Sequence, residues 1–304
     1  MANDLVNLSN ELASAVERAA AGVVAVHARP RIGSSGILWR RNLILTSSEG
    51  VRSEDGIKIF LPGGRSVDAR LRGRDPGTDL ALLEADTGDD APVELESDAG
   101  VKPGQLILAV GRTMTTGPIA SFGIVSGVSG EWKSWRGGKL NPFVRLDVPV
   151  YPTSSGGAAV NADGKVIGLV STGLSRTSVL AVTRTTIDRV AEKLYEKGYV
   201  SRGFLGIALQ PVALPGDLKQ KLQLGQDSGI MVLGLEPGGP GAAGGLIMGD
   251  VLLGAGGEAI LNPESLARVL DSTAIGETVS FRVLRAGTIH DVPVRIGERP
   301  RRGN

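Results

Sequence analysis

Several residue types are absent or scarce in this chain of 304 residues, and each shortage excludes a class of protein. Cysteine is absent, which excludes disulfides, thiolate catalysis and cysteine-bound metals. Only two histidines are present, so we expect no metal site, and no motif predicts a cofactor. Aromatic residues make up 4% of the chain, and the core must therefore be aliphatic.

The net charge and the hydropathy of the chain also exclude several classes of partner. The 33 basic and 32 acidic residues give a net charge of +1, which offers no electrostatic reason to bind nucleic acid or an anionic membrane. No apolar run approaches the roughly 20 residues that span a bilayer. The first 20 residues contain Asp4, Glu11 and Glu17 and lack the basic and apolar segments of a secretory signal. We therefore predict a cytoplasmic protein without membrane insertion, or a periplasmic one if an export signal is missing from this chain.

Hydrophobic periodicity divides the chain into four segments. Apolar residues at helical spacing predict an amphipathic N-terminal helix, and short β-branched runs bounded by Gly, Pro, Asp and Asn then predict an all-β barrel or sandwich. A helix over 185–197 closes this region at Gly198, and the alternation resumes with a further helix over 263–270 that Asn262 caps. The predicted segments are the helix at 1–20, the first domain at 21–198, the second domain at 199–298 and a basic tail at 299–304.

Several motifs occur in an informative order. They read LTSSEGV at 45–51, DPGTDLALLE at 75–84, GQLILAVG at 104–111, FGIVSG at 122–127, TSSGGAAV at 153–160 and GKVIGLVSTG at 164–173. In this order the chain resembles the HtrA/DegP family of serine proteases from about residue 20 to about residue 298. The resemblance implies a mainly β protein, in which a trypsin-like double β-barrel is followed by a PDZ domain of the α+β class.

The resemblance also assigns the catalytic positions. It places Ser155 at the nucleophile, Asp79 at the aspartate and Glu49 at the position of the histidine. A serine hydroxyl needs a base to take its proton, and a glutamate with an ordinary pKa near 4.3 is a weaker base than imidazole by about two units. Glu49 and Asp79 would also repel each other, so one carboxyl pKa should rise.

A second departure from the family concerns the oxyanion hole. The family carries glycine two residues before the nucleophile, so that its N–H joins that of the serine in the hole, whereas this chain has Thr153. We therefore expect the hole formed by Thr153 and Ser155 to be disturbed, which costs about 10²–10³ in rate for each lost donor. In such a barrel Ser155 can equally be an ordinary turn serine. His27 fits a half-buried strand position and His290 a strand of the second domain, so neither is expected to replace the missing base.

The second domain carries a peptide-binding pattern. PDZ domains hold a terminal carboxylate in a loop of backbone N–H groups and add the peptide as a strand. By resemblance the loop consists of Phe204, Leu205, Gly206 and Ile207, and the groove of Leu209, Leu266 and Leu270. The alternative is that these leucines are simply core residues, because leucines four residues apart mark any buried helix face.

These observations predict an HtrA-like pseudoprotease that binds peptides or protein C-termini as an adaptor, a regulator or a chaperone-like scaffold. The alternative is an active serine endopeptidase of the family, with a role in protein quality control. The resemblance further implies a homo-oligomer, with a homotrimer as the expected state. No cofactor and no nucleic-acid partner are expected.

Overall fold

A computed structural model describes residues 2–28, 33–134 and 136–298, without the side chains of Ala2 and Ser272. The chain forms two compact units, Met1–Val200 and Ser201–Asn304. The predicted basic tail at 299–304 lies outside the described residues. No described helix is long and apolar enough to span a membrane.

The first unit begins its β structure with a closed barrel in the order β1-β2-β3-β6-β5-β4. Its strands are β1 (Val23–His27), β2 (Ser34–Arg40), β3 (Leu43–Ser47), β4 (Ile57–Phe60), β5 (Ser66–Asp75) and β6 (Leu80–Ala85). All neighbours are antiparallel, and β1 closes the barrel by pairing with both β2 and β4. The interior is aliphatic, with Val26, Ile44, Ile59 and Leu83 fully buried. Each such side chain contributes about 1.5–3 kcal/mol on burial.

A second closed barrel follows in the order β11-β14-β13-β12-β7-β8. Its strands are β7 (Leu106–Thr113), β8 (Gly117–Ser129), β11 (Phe143–Asp147), β12 (Ala158–Asn161), β13 (Val166–Ser171) and β14 (Val179–Thr183). The hairpin of β9 (Trp132–Lys133) and β10 (Lys139–Leu140) stands between β8 and β11. Two 3-10 helices matter below: Ser48–Gly50 follows β3, and Pro152–Ser154 precedes β12. The two barrels confirm the double β-barrel that the sequence predicted.

Two helices flank the barrels. Helix α1 (Ala2–Ala20) buries Ala15, Ala19 and Ala20 in the core between the barrels. Arg112 of β7, 8% exposed, fastens the end of α1 by donating to the carbonyls of Ala20 (2.8 Å) and Val23 (2.6 Å). Helix α2 (Arg184–Lys197) ends as predicted at Gly198, which is left-handed at φ 80° and donates to the Leu194 carbonyl.

The second unit is a sheet in the order β16-β17-β18-β20-β21, with β19 beside β18 and a separate β15–β22 pair. Its core surrounds Phe281. The predicted cap is confirmed, because the Asn262 side chain accepts from the Ser265 N–H (2.8 Å) in a capping box at the start of α5. The elements are β15 (Gly203–Phe204), β16 (Ile207–Ala213), α3 (Gly216–Leu222), β17 (Ser228–Leu235), α4 (Pro240–Ala243), β18 (Val251–Ala255), β19 (Glu258–Ala259), α5 (Pro263–Ser272), β20 (Thr278–Arg285), β21 (Thr288–Arg295) and β22 (Gly297–Glu298).

Candidate functional site

The turn that carries Ser155 has no room for side chains at the two positions after it. Gly156 has φ 86°, and a methyl group there would lie 2.3 Å from the Ser35 carbonyl oxygen. At Gly157 a methyl group would lie 2.3 Å from the Val110 carbonyl oxygen. Backbone approaches this close require glycine. The Ser-Gly-Gly sequence therefore lets the turn pack tightly against both barrels.

Ser35 of β2 fixes the position of this turn. Its N–H donates to the Ser155 carbonyl (2.9 Å), and its Oγ donates to the Thr153 carbonyl (2.6 Å). The same Oγ accepts from the Arg112 N–H (2.9 Å) of the second barrel. Thr153 lies in the 3-10 helix before Ser155 and does not have a positive φ. A β-branched residue is therefore accommodated without left-handed strain at the candidate oxyanion position.

Asp79 is buried beneath the turn and its carboxylate is fully engaged. It accepts from the Ser171 Oγ (2.6 Å), the Glu49 N–H (3.0 Å) and the Ser47 Oγ, which lies 2.9 Å from both carboxylate oxygens. Burial raises the pKa of the Asp79 carboxyl above its ordinary value, the three donors oppose that rise, and the Glu49 carboxylate adds to it. The predicted rise in one carboxyl pKa is thus present, and its main cause is burial.

Glu49 is the middle residue of the short 3-10 helix after β3, and its side chain is 45% exposed. A carboxylate oxygen lies 3.6 Å from Arg136 Nη2 of the β9–β10 hairpin. The carboxyl group also packs against Gly173, where a methyl group would lie 2.7 Å from Glu49 Cδ. Glu49 therefore sits at the solvent side of the buried Asp79.

The hydroxyl of Ser155 has a hydroxyl partner. Thr172 Oγ1 donates to Ser155 Oγ at 3.1 Å, and Ser155 is 5% exposed. Neither histidine takes part in this contact. His27 ends β1, half-buried as predicted, with no hydrogen-bond partner for Nδ1 among the described residues, and His290 Nε2 pairs with Thr288 Oγ1 in the second unit.

The sequence did not single out several polar residues of this site. They are the hydroxyl residues Ser35, Ser47, Ser171 and Thr172 and the cation Arg136. Ser47 and Thr172 lie inside the motifs at 45–51 and 164–173. Their positions in those motifs could therefore have indicated that they belong to the site. Ser35 meets Thr153 from 118 residues away, and no local pattern predicts that.

The second unit brings the predicted peptide-binding residues to one edge of its sheet. Among the described strands, β16 pairs only with β17. Ile207, Leu209 and Leu270 are half-buried and pack on the core, whereas Leu205 and Leu266 are core residues at 2% and 3% exposure. The alternative that these leucines are core residues thus describes the positions of Leu205 and Leu266.

The loop before β16 is shaped by a glycine. Gly206 has φ 69°, and the carbonyls of Leu205 and Gly206 accept from Gly241 and Glu236 (both 2.7 Å). Within the described part of the chain, the N–H groups of Leu205 and Gly206 have no hydrogen-bond acceptor. No three His, Cys, Asp or Glu side chains of the described residues are close enough together to hold a metal ion.

Known protein families match the two units of the chain separately. The trypsin-like peptidase domain family matches residues 34–169 and the PDZ domain family matches residues 203–296. The solved structure of the HtrA-type protease AlgW with a tripeptide is 30% identical, with a TM-score of 0.72 over 95% of this chain and 97% of its own. This chain belongs to the HtrA family. Its first unit is trypsin-like and its second unit is a PDZ domain.

Other HtrA relatives agree. The serine endoprotease from Yersinia pestis is 27% identical, with a TM-score of 0.75 over 94% of this chain and 97% of its own. Two curated relatives, both named probable periplasmic serine endoprotease DegP-like, come from Halomonas elongata and Pseudomonas fulva. Each is 31% identical, over 90% and 88% of this chain and 57% and 56% of their own lengths. The chain thus spans a little over half the length of these relatives.

The names of these relatives correct one prediction. The curated relatives are named probable periplasmic proteins, so the predicted cytoplasmic location is wrong and the comparison points to the periplasm. The prediction treated the first 20 residues as the start of a complete protein, which a sequence alone cannot establish.

Proposed function

We propose that this chain is a periplasmic, non-proteolytic member of the HtrA family that binds polypeptides through its PDZ domain. It would act as an adaptor, a regulator or a chaperone-like scaffold. One observation carries the proposed loss of proteolysis: among the described residues the hydroxyl of Ser155 has a hydrogen bond with Thr172 and none with a histidine. In this proposal Glu49, Asp79 and Ser155 occupy the triad positions, with Glu49 in place of histidine.

The geometry around Asp79 supports this assignment. In a working triad the aspartate holds the imidazole through a hydrogen bond. Here the donors to Asp79 are Ser47, Ser171 and the Glu49 backbone, which take up both carboxylate oxygens. In another serine protease, loss of the triad histidine lowered turnover by about 10⁶, so loss of this base alone would silence cleavage.

A casein digestion assay tests the proposal. We expect no cleavage by the intact chain and none by Ser155→Ala, and no labelling of Ser155 by a fluorophosphonate. Cleavage that disappears in Ser155→Ala would contradict the proposal, whereas cleavage that survives this substitution is contamination.

The second candidate is an active serine endopeptidase of protein quality control. It is favoured by the relatives, because those from Halomonas elongata and Yersinia pestis are named serine endoproteases. Under this candidate Ser155 would act with Asp79 and an atypical base. The same digestion assay decides between the two, since only this candidate predicts cleavage that depends on Ser155.

Peptide binding by the second unit rests on its open strand edge and its loop. The unpaired edge of β16 can accept a further strand, and the unengaged N–H groups of Leu205 and Gly206 can hold a terminal carboxylate. Ile207, Leu209 and Leu270 offer apolar surface to the last side chain. The solved relatives AlgW with a tripeptide and with a decapeptide support this proposal.

Titration with hydrophobic-ended peptides, free and amidated, tests carboxylate capture. The variant Gly206→Ala strains a left-handed position in the loop and should weaken binding of the free peptide about tenfold or more. The matched control Gly257→Ala carries the same backbone strain, at φ 87°, in open space between β18 and β19. Equal affinity for free and amidated peptides would rule out carboxylate capture.

The proposed homotrimer is tested by sedimentation of the intact chain.

A further inference from the structure

Three consecutive residues at the end of β13 contact the three candidate triad positions one by one. Each contact is made by a different kind of group, which is a buried hydroxyl at Ser171, the hydroxyl of an exposed residue at Thr172 and the backbone of a glycine at Gly173. The pairs are Ser171 with Asp79, Thr172 with Ser155 and Gly173 with Glu49. The edge of this segment therefore forms one wall of the space in front of Ser155.

The Glu49 side chain lies against this segment at Gly173. A methyl group on Gly173 would lie 2.7 Å from Glu49 Cδ and 2.9 Å from Oε2, so no gap remains between them. Arg136 Nη2 lies 3.6 Å from the other carboxylate oxygen, Oε1, and so favours this position of the Glu49 side chain. Ser155, which Thr172 of this segment contacts, is 5% exposed.

An acyl group that approaches Ser155 must lie about 3–3.5 Å from its Oγ. It would have to enter beside Thr172 and Gly173, because Thr172 already stands at hydrogen-bond distance from that Oγ. We propose that Glu49 is a gate whose side chain covers the segment at Thr172 and Gly173 beside Ser155, so that an extended polypeptide reaches Ser155 only when Glu49 is displaced. This gate is separate from peptide capture by the second unit.

Binding of an amidated, unstructured peptide to the intact chain tests the gate, because amidation removes the carboxylate that the second unit is proposed to capture. Fluorescence anisotropy would compare wild type with Glu49→Ala, which uncovers the segment at Gly173, and Glu49→Gln, which keeps the volume of the side chain. Glu54→Ala, at an exposed glutamate that faces Arg74, is the matched control. Hydrogen exchange across residues 170–174 locates the bound peptide.

We expect Glu49→Ala to bind at least about tenfold more tightly than wild type, with new protection at 170–174, and Glu49→Gln and Glu54→Ala to stay within about threefold of wild type. Adding Gly173→Val to Glu49→Ala should refill the gap and reverse the gain. The gate is refuted if Glu49→Ala binds like wild type, if no variant binds, or if Glu49→Gln gains as much as Glu49→Ala. If Glu49→Ala fails to fold, Glu49→Ser is held to the same criteria. If the chain fails to capture free carboxylates but shows these changes, the proposed peptide capture is refuted and the proposed gate is supported.

Discussion

The Ser171 hydroxyl makes the shortest hydrogen bond to the buried Asp79 carboxylate. Its removal should measure how much this hydrogen bond contributes to the free energy of unfolding. Ser171 is fully buried, and its Oγ lies 2.6 Å from Asp79 Oδ2. A hydrogen bond to a charged group contributes about 1.5–3 kcal/mol, so we expect Ser171→Ala to lower the free energy of unfolding by that amount at a pH where the Asp79 carboxylate is charged. Urea unfolding provides the measurement.

The tryptophans make this measurement specific to the first unit. All three, Trp39, Trp132 and Trp135, precede residue 201, so their fluorescence reports the unfolding of the barrels alone. The control is Ser129→Ala at an exposed end of β8, where we expect a change within about 0.5 kcal/mol.

The pH dependence of the Ser171→Ala effect has a definite sign. The folded protein holds the Asp79 proton to a higher pH than the unfolded chain, because burial raises this pKa from its ordinary 3.8. Stability is therefore lost as the pH rises from that value through the folded-state pKa. Above that pKa the carboxylate is charged and the variant should lose the full amount, whereas below it the loss should shrink to about 0.5–1.5 kcal/mol. A loss below about 0.5 kcal/mol at every pH, or one that does not change with pH, would refute the reasoning.

Three further predictions concern other polar residues of the two units. Arg112→Met should cost about 1–3 kcal/mol in urea unfolding and speed proteolysis within α1, because two buried carbonyls lose their donor; unchanged proteolysis would contradict this. Asp250→Asn should destabilise the second unit by about 3 kcal/mol at neutral pH. Burial disfavours the Asp250 charge, but the Arg285 hydrogen bonds (2.7 and 2.8 Å) outweigh burial and lower the Asp250 pKa. Wild type should therefore lose its extra stability over Asp250→Asn as the pH falls through the folded-state pKa, which unfolding followed by far-UV circular dichroism measures. Glu49→His with Thr153→Gly should leave casein intact unless Ser47→Ala is added, since Ser47 occupies both Asp79 oxygens; cleavage by the double variant would contradict this.

The sequence predicted the elements with strong local signals. Helix α2 and its end at Gly198 followed from apolar spacing and a left-handed glycine, and the start of α5 followed from Asn262 and the proline after it. The Ser-Gly-Gly turn was identified as a motif, although only the structure shows that Gly156 and Gly157 are needed for contacts with Ser35 and Val110.

The polar contacts of the site could not be predicted from local pattern. The donor Ser171 meets Asp79 from 92 residues away and Ser35 meets Thr153 from 118, and both contacts exist only because the barrels pack together. Serine is common on any surface, so its presence in a strand does not indicate a buried donor. The same limit applies to Gly173, whose importance lies in the Glu49 side chain that packs on it.

The hydrogen bonds of Asp79 explain how the fold would tolerate the proposed triad, in which Glu49 stands in place of histidine. A buried carboxylate that lost its only donor would be strongly destabilising, because unpaired charge is expensive in the interior. Asp79 instead keeps donors from Ser47, Ser171 and the Glu49 N–H. None of these donors is an imidazole, so the barrels do not require one for stability. The requirement for histidine is then purely chemical, and a chain that functions by binding can lack it at no cost to the fold.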